Sequence, residues 1–256
     1  MTVPATAPDA AEIARLEAQF FTCWPADETV EHEGWRMRAT RGVSDRANSV
    51  HAAAWTGGDL DADIDAAEAF YAAKGLPATF MMIPGAQPEG LDARLEARGY
   101  ARTKETRVCL GDPARVAALA GAEAVSVDML SDQSAEWADA YIRDANPADL
   151  AVRAEIMGRV AVPRLYVLAR EGAAPAGVGM GVLRGDTAVV QGMRTLPDAR
   201  GRGVARAVLA AIGRWAMSMD AARMALQVEV ANPAANALYA AAGFEEVYRY
   251  AYRIRR

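Results

Sequence analysis

The sequence predicts an α+β fold in which helices pack on a β-sheet and the arrangement is laid down twice in tandem. Three observations carry this expectation. Strand-like segments alternate with helix-like ones along the whole chain. The two halves also end alike: Gly90 to Leu110 runs helix, Gly99-Tyr100, strand, and Pro233 to Ile254 runs helix, Gly243-Phe244, strand. Finally, a turn with two glycines leads from a strand straight into an amphipathic helix, with Val204, Val208, Ile212, Trp215 and Met219 along one stripe.

In the first half, Asp9 to Phe21 is predicted helical because Ile13, Leu16 and Phe20 recur on one face, and Trp24-Pro25 stops it. Gly34 to Ala39 and Arg46 to Trp55 are expected as strands around a turn at Arg41-Gly42. Leu60 to Lys74 is a helix closed by Gly75. A strand at Pro77 to Ile83, a helix at Gly90 to Arg98 and a strand at Ala101 to Leu110 complete this half. Asp112-Pro113, a cap followed by proline at the first helical position, opens a short connection. The expected division is therefore 1–111, a linker 112–123, and 124–256.

The second half begins with a strand at Ala124 to Met129. Helices follow at about Ser131 to Ala145 and Pro147 to Arg159, the second capped by Asn146. Strands are predicted at Leu165 to Arg170, Ala176 to Leu183 and Thr187 to Thr195, the last two a hairpin about Arg184-Gly185-Asp186. After the helix Val204 to Met219 come a strand at Met224 to Val230, a helix at Pro233 to Ala242 and a strand at Glu246 to Ile254.

Composition limits the function. Of 256 residues, 52% are hydrophobic and 24% charged, the balance of a globular protein with a sizeable core. No apolar run reaches the roughly 20 residues that span a membrane, and Met1 to Pro8 lacks the features of a secretory signal. A cytoplasmic protein is the default expectation. Cys23 and Cys109 are too few for a disulfide framework and have no metal-ligand spacing. With only His32 and His51, a histidine zinc site or a Ser-His-Asp triad has little material, and no metal is expected. The formal charge of -5 argues against nucleic acid as a partner and mildly favours cationic ones such as amines. A homodimer stays open.

The informative segment is Thr195-Leu196-Pro197-Asp198-Ala199-Arg200-Gly201-Arg202-Gly203-Val204-Ala205. Successive backbone N–H groups in such a turn, backed by a helix N-terminus, make an anion cradle. Glycine lets phosphates approach the backbone. No Gly-Lys-Ser/Thr follows, and a third glycine with a distant acidic residue is missing, so nucleotide and dinucleotide loops are excluded. Taken alone, the segment reads equally well as a tight turn with solvated arginines.

Pro-x-x-Arg-Gly-x-Gly-x-Ala after a strand resembles the pyrophosphate motif of the GNAT acetyltransferases, carried here by Arg200, Gly203 and Ala205. Downstream, Asn232-Pro-Ala-Ala-Asn236-Ala-Leu238-Tyr239-Ala-Ala-Ala-Gly243-Phe244 resembles that superfamily's second signature. The resemblance covers about Ala124 to Arg256. It implies α/β/α layers around a mixed, splayed sheet, with acetyl-CoA as co-substrate in the cleft between the fourth and fifth strands of this half. It further implies that Met193, Arg194 and Thr195 bind the pantetheine arm through their backbone. Arg200, Gly201, Arg202, Gly203, Val204 and Ala205 would hold the pyrophosphate, and Asn232 and Asn236 would touch the coenzyme. Asn232 before Pro233 is also a good helix cap without any ligand.

The resemblance gives Tyr239 the role of protonating the departing thiolate, a task suited to a phenol of ordinary pKa about 10. Packing beside Leu238 is its plain structural alternative. Acetyltransferases of ribosomal-protein N-termini, which this half resembles in general form, often place Glu where this chain has Gln227. Glu229 lies two residues on, on the same strand face, and is the candidate base, although an exposed strand carboxylate describes it equally. No cysteine falls in the second half, so direct attack on the thioester is expected.

The first half looks like a degenerate copy. Leu95 stands where Tyr239 would match, and Asp59, Asp61 and Asp63 occupy the place of the phosphate loop, where they would repel a pyrophosphate. This half is expected to shape the acceptor pocket or to support the other half. Arg36-Met37-Arg38 and Arg46-Ala47-Asn48-Ser49 are candidate linings, with a solvated strand face as the alternative. The expected activity is transfer of acetyl from acetyl-CoA to a primary amine of a small molecule or peptide. A catalytically silent acyl-CoA sensor is the alternative.

Overall fold

A computed structural model describes residues 8–143 and 147–255. The expected cap Asn146 lies outside the described residues. Helix α1 (Ala10–Cys23) starts where Asp9 accepts from the Glu12 N–H, and it buries Ile13, Leu16 and Phe20 as its period dictates. The strands β1 (Glu28–His32), β2 (Trp35–Ala39) and β3 (Val50–His51) follow. β1 is an exposed strand at one end of the sheet with no apolar alternation, so the sequence carries no signal for it.

The strand expected over Arg46 to Trp55 shrinks to Val50–His51. The cause is Asn48. Its Oδ1 accepts from the Thr40 and Gly42 N–H groups, and its Nδ2 donates to the Thr40, Val43 and Ser44 carbonyls. These bonds fold 40–48 into a compact loop with a short 3-10 turn at Asp45–Ala47.

Next come α2 (Leu60–Ala72), β4 (Thr79–Met82), α3 (Leu91–Ala97), β5 (Ala101–Gly111) and α4 (Pro113–Ala117). The remainder is β6 (Val125–Leu130), α5 (Ala135–Ile142), α6 (Pro147–Gly158), β7 (Arg164–Glu171), β8 (Ala174–Arg184) and β9 (Thr187–Thr195), then α7 (Val204–Ser218), β10 (Arg223–Glu229), α8 (Pro233–Ala241) and β11 (Glu245–Ile254). α5 begins later than the expected Ser131 because Ser134 is the residue whose hydroxyl accepts from the Trp137 N–H. No helix among the described residues is long and apolar enough to cross a membrane.

The strands form one mixed sheet in the order β1-β2-β3-β4-β11-β5-β10-β9-β8-β7-β6. Each half lends its last strand to the other. β5, from the first half, pairs with β10, and β11, from the second, pairs with β4. The parallel pair β3–β4 mirrors the parallel pair β9–β10, and the exchanged strands β5 and β11 pair with each other at the centre. The repeat read from the sequence is therefore present, as two units interlocked through their final strands.

Helices cover both faces of the second half's sheet. On one face α1, α5 and α6 surround Trp137, which stacks on Tyr141 at 5.3 Å and donates to the Val167 carbonyl. On the other, α7 lies against β8 closely enough that only glycines fit beneath it. A methyl group on Gly177 would sit 2.7 Å from Val204 Cγ1, one on Gly179 2.5 Å from Val208 Cγ1, and one on Gly181 2.9 Å from Ile212 Cγ2. The three glycines face the same way at a spacing of two, and their partners recur at a spacing of four along the helix.

Between α1 and β11, Glu17 is fully buried and accepts a 2.5 Å hydrogen bond from the Tyr248 hydroxyl. Burial lifts its carboxyl to about 7 against the opposing hydrogen bond from Tyr248 and the charges of Arg46 and Arg38.

Two predictions follow from this packing. Gly179→Val overfills the α7–β8 contact and should lower stability by about 1–3 kcal/mol in chemical denaturation. The Glu17 carboxyl has its pKa raised on folding, so its penalty is absent below about pH 4.5 and complete above about pH 7. Glu17→Gln should accordingly raise stability by about 2–3 kcal/mol at pH 8 and by little at pH 4.5, giving a flatter profile of stability against pH.

Candidate active site

β9 and β10 run parallel but are paired only from Thr187↔Arg223 to Ala225↔Val189. Beyond this point they separate. β10 stays bound on its other side to β5, from Met224↔Gly111 to Glu229↔Thr106. β9 meanwhile bulges: Met180 pairs with Gln191 and Val178 with Arg194, so Gly192 and Met193 together oppose Gly179. Gly192 has φ +63, and a methyl group there would lie 2.7 Å from Met157 Sδ, so glycine is required on both counts. The bulge leaves the edge of Met193 to Thr195 that faces β10 without a strand partner.

A cleft of about 880 Å³ opens at this parting, on the α7–α8 face. It is lined by Met193, Arg194, Thr195, Arg200, Gly201, Gly203, Val204, Ala205, Asn232 and Tyr239 from the expected set. Arg206, Ala235 and Leu238 also line it. Gly203, at φ +81, is the residue before α7, and no side chain caps the helix there. The first N–H groups of α7 thus face the cleft with the helix dipole behind them, which is a site for an anion.

The corresponding helix of the first half, α2, is closed. Asp59 accepts from the Asp61 and Ala62 N–H groups. Asp61 is held at about 2, chiefly by its hydrogen bond to Arg94. Asp63 takes hydrogen bonds from Trp55 at 2.8 Å and His32 at 2.8 Å. Leu95 is fully buried in that half's core. The carboxylates occupy the helix end that an anion would need.

Two of the expected coenzyme contacts lie elsewhere. Arg202 does not line the cleft and pairs with Glu171 at 3.2 Å. Asn236 is turned inward: its Nδ2 donates to the carbonyls of Glu229, Val230 and Asn232, and its Oδ1 accepts from Arg107 at 3.0 Å. It ties the start of α8 to the ends of β10 and β5. Asn232 lines the cleft and also caps α8, its Oδ1 accepting from the Ala235 N–H at 3.1 Å, so the expected cap is present at a residue that borders the cleft.

Tyr239 is buried and lies edge-on to Phe244 at 5.9 Å, and its hydroxyl makes no hydrogen bond among the described residues. Burial first, and then the nearby Cys109, push its phenol up to about 12. Cys109 reaches this neighbourhood because β5 crosses into the second half's sheet. It lines neither pocket, and burial lifts its thiol to about 11.

A second pocket of about 570 Å³ lies on the opposite face, under α1, α5 and α6, and shares Met193, Asn232, Ala235 and Tyr239 with the first. The two pockets adjoin at the parting of β9 and β10, where Tyr239 is part of the lining of both. Gln227 and Glu229 line this second pocket, as the period of two requires. The first half contributes Gly42 to Arg46. Of its expected linings, Arg46 is present, whereas Arg36 pairs outward with Glu31 at 2.7 Å and Arg38 is buried, donating to the Trp24 and Arg46 carbonyls. Asn48 builds the loop that holds Arg46. Gln191, Tyr141 and Arg153 also line the pocket. The polar Gln191 inside an apolar strand was a signal available in the sequence, but the approach of Arg46 and Arg153 was not.

A family described as "Probable histone acetyltransferase Rv0428c C-terminal" matches residues 10–253. The chain is 28% identical over 254 residues to the "Uncharacterized N-acetyltransferase YobR" of Bacillus subtilis, covering 96% of this chain and 99% of that one. Its fold resembles a GCN5-related N-acetyltransferase from Kribbella flavida, with a TM-score of 0.72 at 18% identity over 97% of this chain and 96% of the other. It also resembles a tandem GNAT protein from the clavulanic acid biosynthesis pathway, with a TM-score of 0.67 at 16% identity over 99% of this chain and 90% of the other.

Two substitutions separate the cradle from its scaffold. Gly203→Glu places bulk and negative charge at the open end of α7, and titration calorimetry should find acetyl-CoA binding abolished. Asn236→Ala should leave that affinity within about twofold while costing about 1–2 kcal/mol of stability through the lost carbonyl contacts.

Proposed function

This chain belongs to the Rv0428c C-terminal acetyltransferase family and is a tandem GNAT N-acetyltransferase, and from that premise we propose that it transfers acetyl from acetyl-CoA to a primary amine of a small molecule or peptide. The observation that carries the proposal is the adjacency of the two pockets at the parting of β9 and β10, with Tyr239 in the lining of both. We take residues 1–111 and 124–256 as the two units, joined by 112–123.

The cleft fits coenzyme A. The uncapped N-terminus of α7 suits the pyrophosphate, and the unpartnered edge at Met193 to Thr195 suits the amides of the pantetheine arm. When bound, acetyl-CoA supplies the thioester: the amine nitrogen bonds to the acetyl carbon, the carbon–sulfur bond breaks, and the proton lost by the amine ends on sulfur.

The chain's own residues place and move that proton. Glu229, in the second pocket, is the proposed base and takes the proton directly or through water. Gln227 has no basic oxygen to share this task. Tyr239, raised to about 12, is protonated throughout the physiological range and donates a hydrogen bond to the sulfur as negative charge develops. Complete transfer from so weak an acid to a thiolate of ordinary pKa about 8.5 is uphill, so Tyr239 stabilises the charge and the amine's proton balances the reaction. Cys109 is a poor acyl acceptor with its thiol at about 11, which supports direct attack.

Thermal melting with acetyl-CoA, against NADH and ATP as controls, tests the donor. At a hundred times its dissociation constant a bound ligand stabilises by about 2.7 kcal/mol. A shift with acetyl-CoA alone, followed by amine-dependent thiol release, is the expected result. A shift without thiol release for any amine would instead make the protein a silent acyl-CoA sensor. Tyr239→Phe should reduce kcat by about 10–100-fold with acetyl-CoA affinity unchanged. Because the raised phenol ionises only near pH 12, the substitution should not move the alkaline limb of the rate profile below pH 10.

A further inference from the structure

We propose that the acceptor amine also carries an anionic group, a carboxylate or a phosphate, which Arg46 and Arg153 hold in the second pocket. The inference rests on the acetyltransferase reading and names the acceptor class for that site.

Three cationic side chains line this pocket: Arg46, Lys104 and Arg153. Lys104 is matched by an ion pair with Asp45. Arg46 and Arg153 are half-buried and have no carboxylate partner among the described residues. The remaining carboxylates of the lining, Asp149 and Glu229, are exposed at its rim, and Glu229 is already engaged as the proposed base. An unmatched guanidinium withdrawn from water is costly, and a bound anion relieves that cost through charge-assisted hydrogen bonds.

Both guanidiniums border the same cavity. Arg46 packs over the ring of Trp24 at 4.9 Å, which fixes its plane while leaving its edge free. It stands in the loop that Asn48 holds, and its own carbonyl is tied by Arg38 at 2.8 Å. Arg153 comes from α6 on the facing wall. Between them lies Tyr141, whose phenol is raised by burial and drawn back down by Arg153, then Arg46. The first unit therefore supplies one jaw of the anion site and the second unit the other.

The middle of the pocket is polar and unsatisfied. Continuing the register of β9 and β10, Gln191 and Gln227 stand level across the parting. Both polar atoms of the Gln227 carboxamide, and Oε1 of Gln191, are buried without a partner among the described residues. Nε2 of Gln191 is engaged by the Cys23 carbonyl at 2.8 Å, which aims the free oxygen. An amide or hydroxyl between the amine and the acid of the acceptor would satisfy them. The sequence of groups is thus amine at Glu229 and Tyr239, polar centre at the two carboxamides, acid at the two arginines. The same cations disfavour a strongly basic peptide.

The test compares thiol release for ω-amino carboxylates, aminoalkyl phosphates and amines of equal length ending in an amide or methyl group. The expected kcat/KM for one of the acidic series exceeds that of the neutral amines by about tenfold or more, and the carboxylate and phosphate arms identify the acid. Arg46→Gln and Arg153→Gln should each raise KM for the acidic amine about tenfold with kcat nearly unchanged, and should change KM for the neutral amines by less than about twofold. Equal use of neutral and acidic amines, or variants with wild-type KM, overturns the inference. Calorimetry of the acidic amine against the protein, alone and with CoA, gives a readout without turnover: binding lost in the double variant supports the site, and binding unchanged in it refutes the site. A missing acetyl-CoA shift would fell the acetyltransferase reading instead, with the calorimetry still deciding the anion site.

Discussion

The hydrogen bonding between β9 and β10 stops at Val189, and the rest of the site depends on that break. Two parallel strands in register would normally close the sheet and separate its faces. Here each strand is held by something stronger on its far side. β10 is bound along its length to β5, and β9 is bent by the two-residue bulge opposite Gly179. The gap that results leaves one strand edge unpaired and brings the two pockets together at Tyr239. The strand exchange is part of this constraint, because β5 belongs to the other unit. It holds β10 at the required angle and also brings Cys109 beside Tyr239.

A second requirement concerns the end of α7. An anion cradle works only if the helix N-terminus is open and correctly placed. The glycines of β8 let α7 settle at the separation that sets its depth, and the absence of a side-chain cap at Gly203 leaves the N–H groups available. The first unit shows the opposite solution with the same fold. At α2, Asp59 takes the N–H groups itself, and Asp61 and Asp63 are committed to Arg94, His32 and Trp55. In that unit the helix end is occupied by the chain's own carboxylates. Its loop carrying Arg46 then serves the neighbouring pocket.

Burial decides the chemistry of the residues around the passage. Desolvation moves Tyr239 away from ionisation, which favours a hydrogen-bond donor, and it does the same to Cys109, which removes a competing nucleophile. Glu229, exposed at the rim, stays in contact with water through which a proton can travel. In the proposed reaction the division of tasks follows from depth in the sheet as much as from residue type.

The order of most elements, the tandem repeat and the glycine turn before α7 were legible in the sequence because each is local: periodicities of two and 3.6, caps, and glycine at defined offsets are properties of short segments. The family resemblance of residues 200–205 and 232–244 rested on the same local patterns. Arg202 and Asn236 show where such transfer ends, since their partners, Glu171 and Arg107, are distant in the chain and chosen by packing. β1 was invisible because an exposed strand at the sheet's end needs no apolar face, and the strand at Arg46 was lost to the bonds of Asn48. The exchange of β5 and β11, the meeting of Arg46 with Arg153, and the joining of two pockets at Tyr239 came only from tertiary structure. The first two bring together residues more than 100 positions apart, and which of the available strand edges is paired depends on the free energy of the whole sheet, to which no local pattern responds.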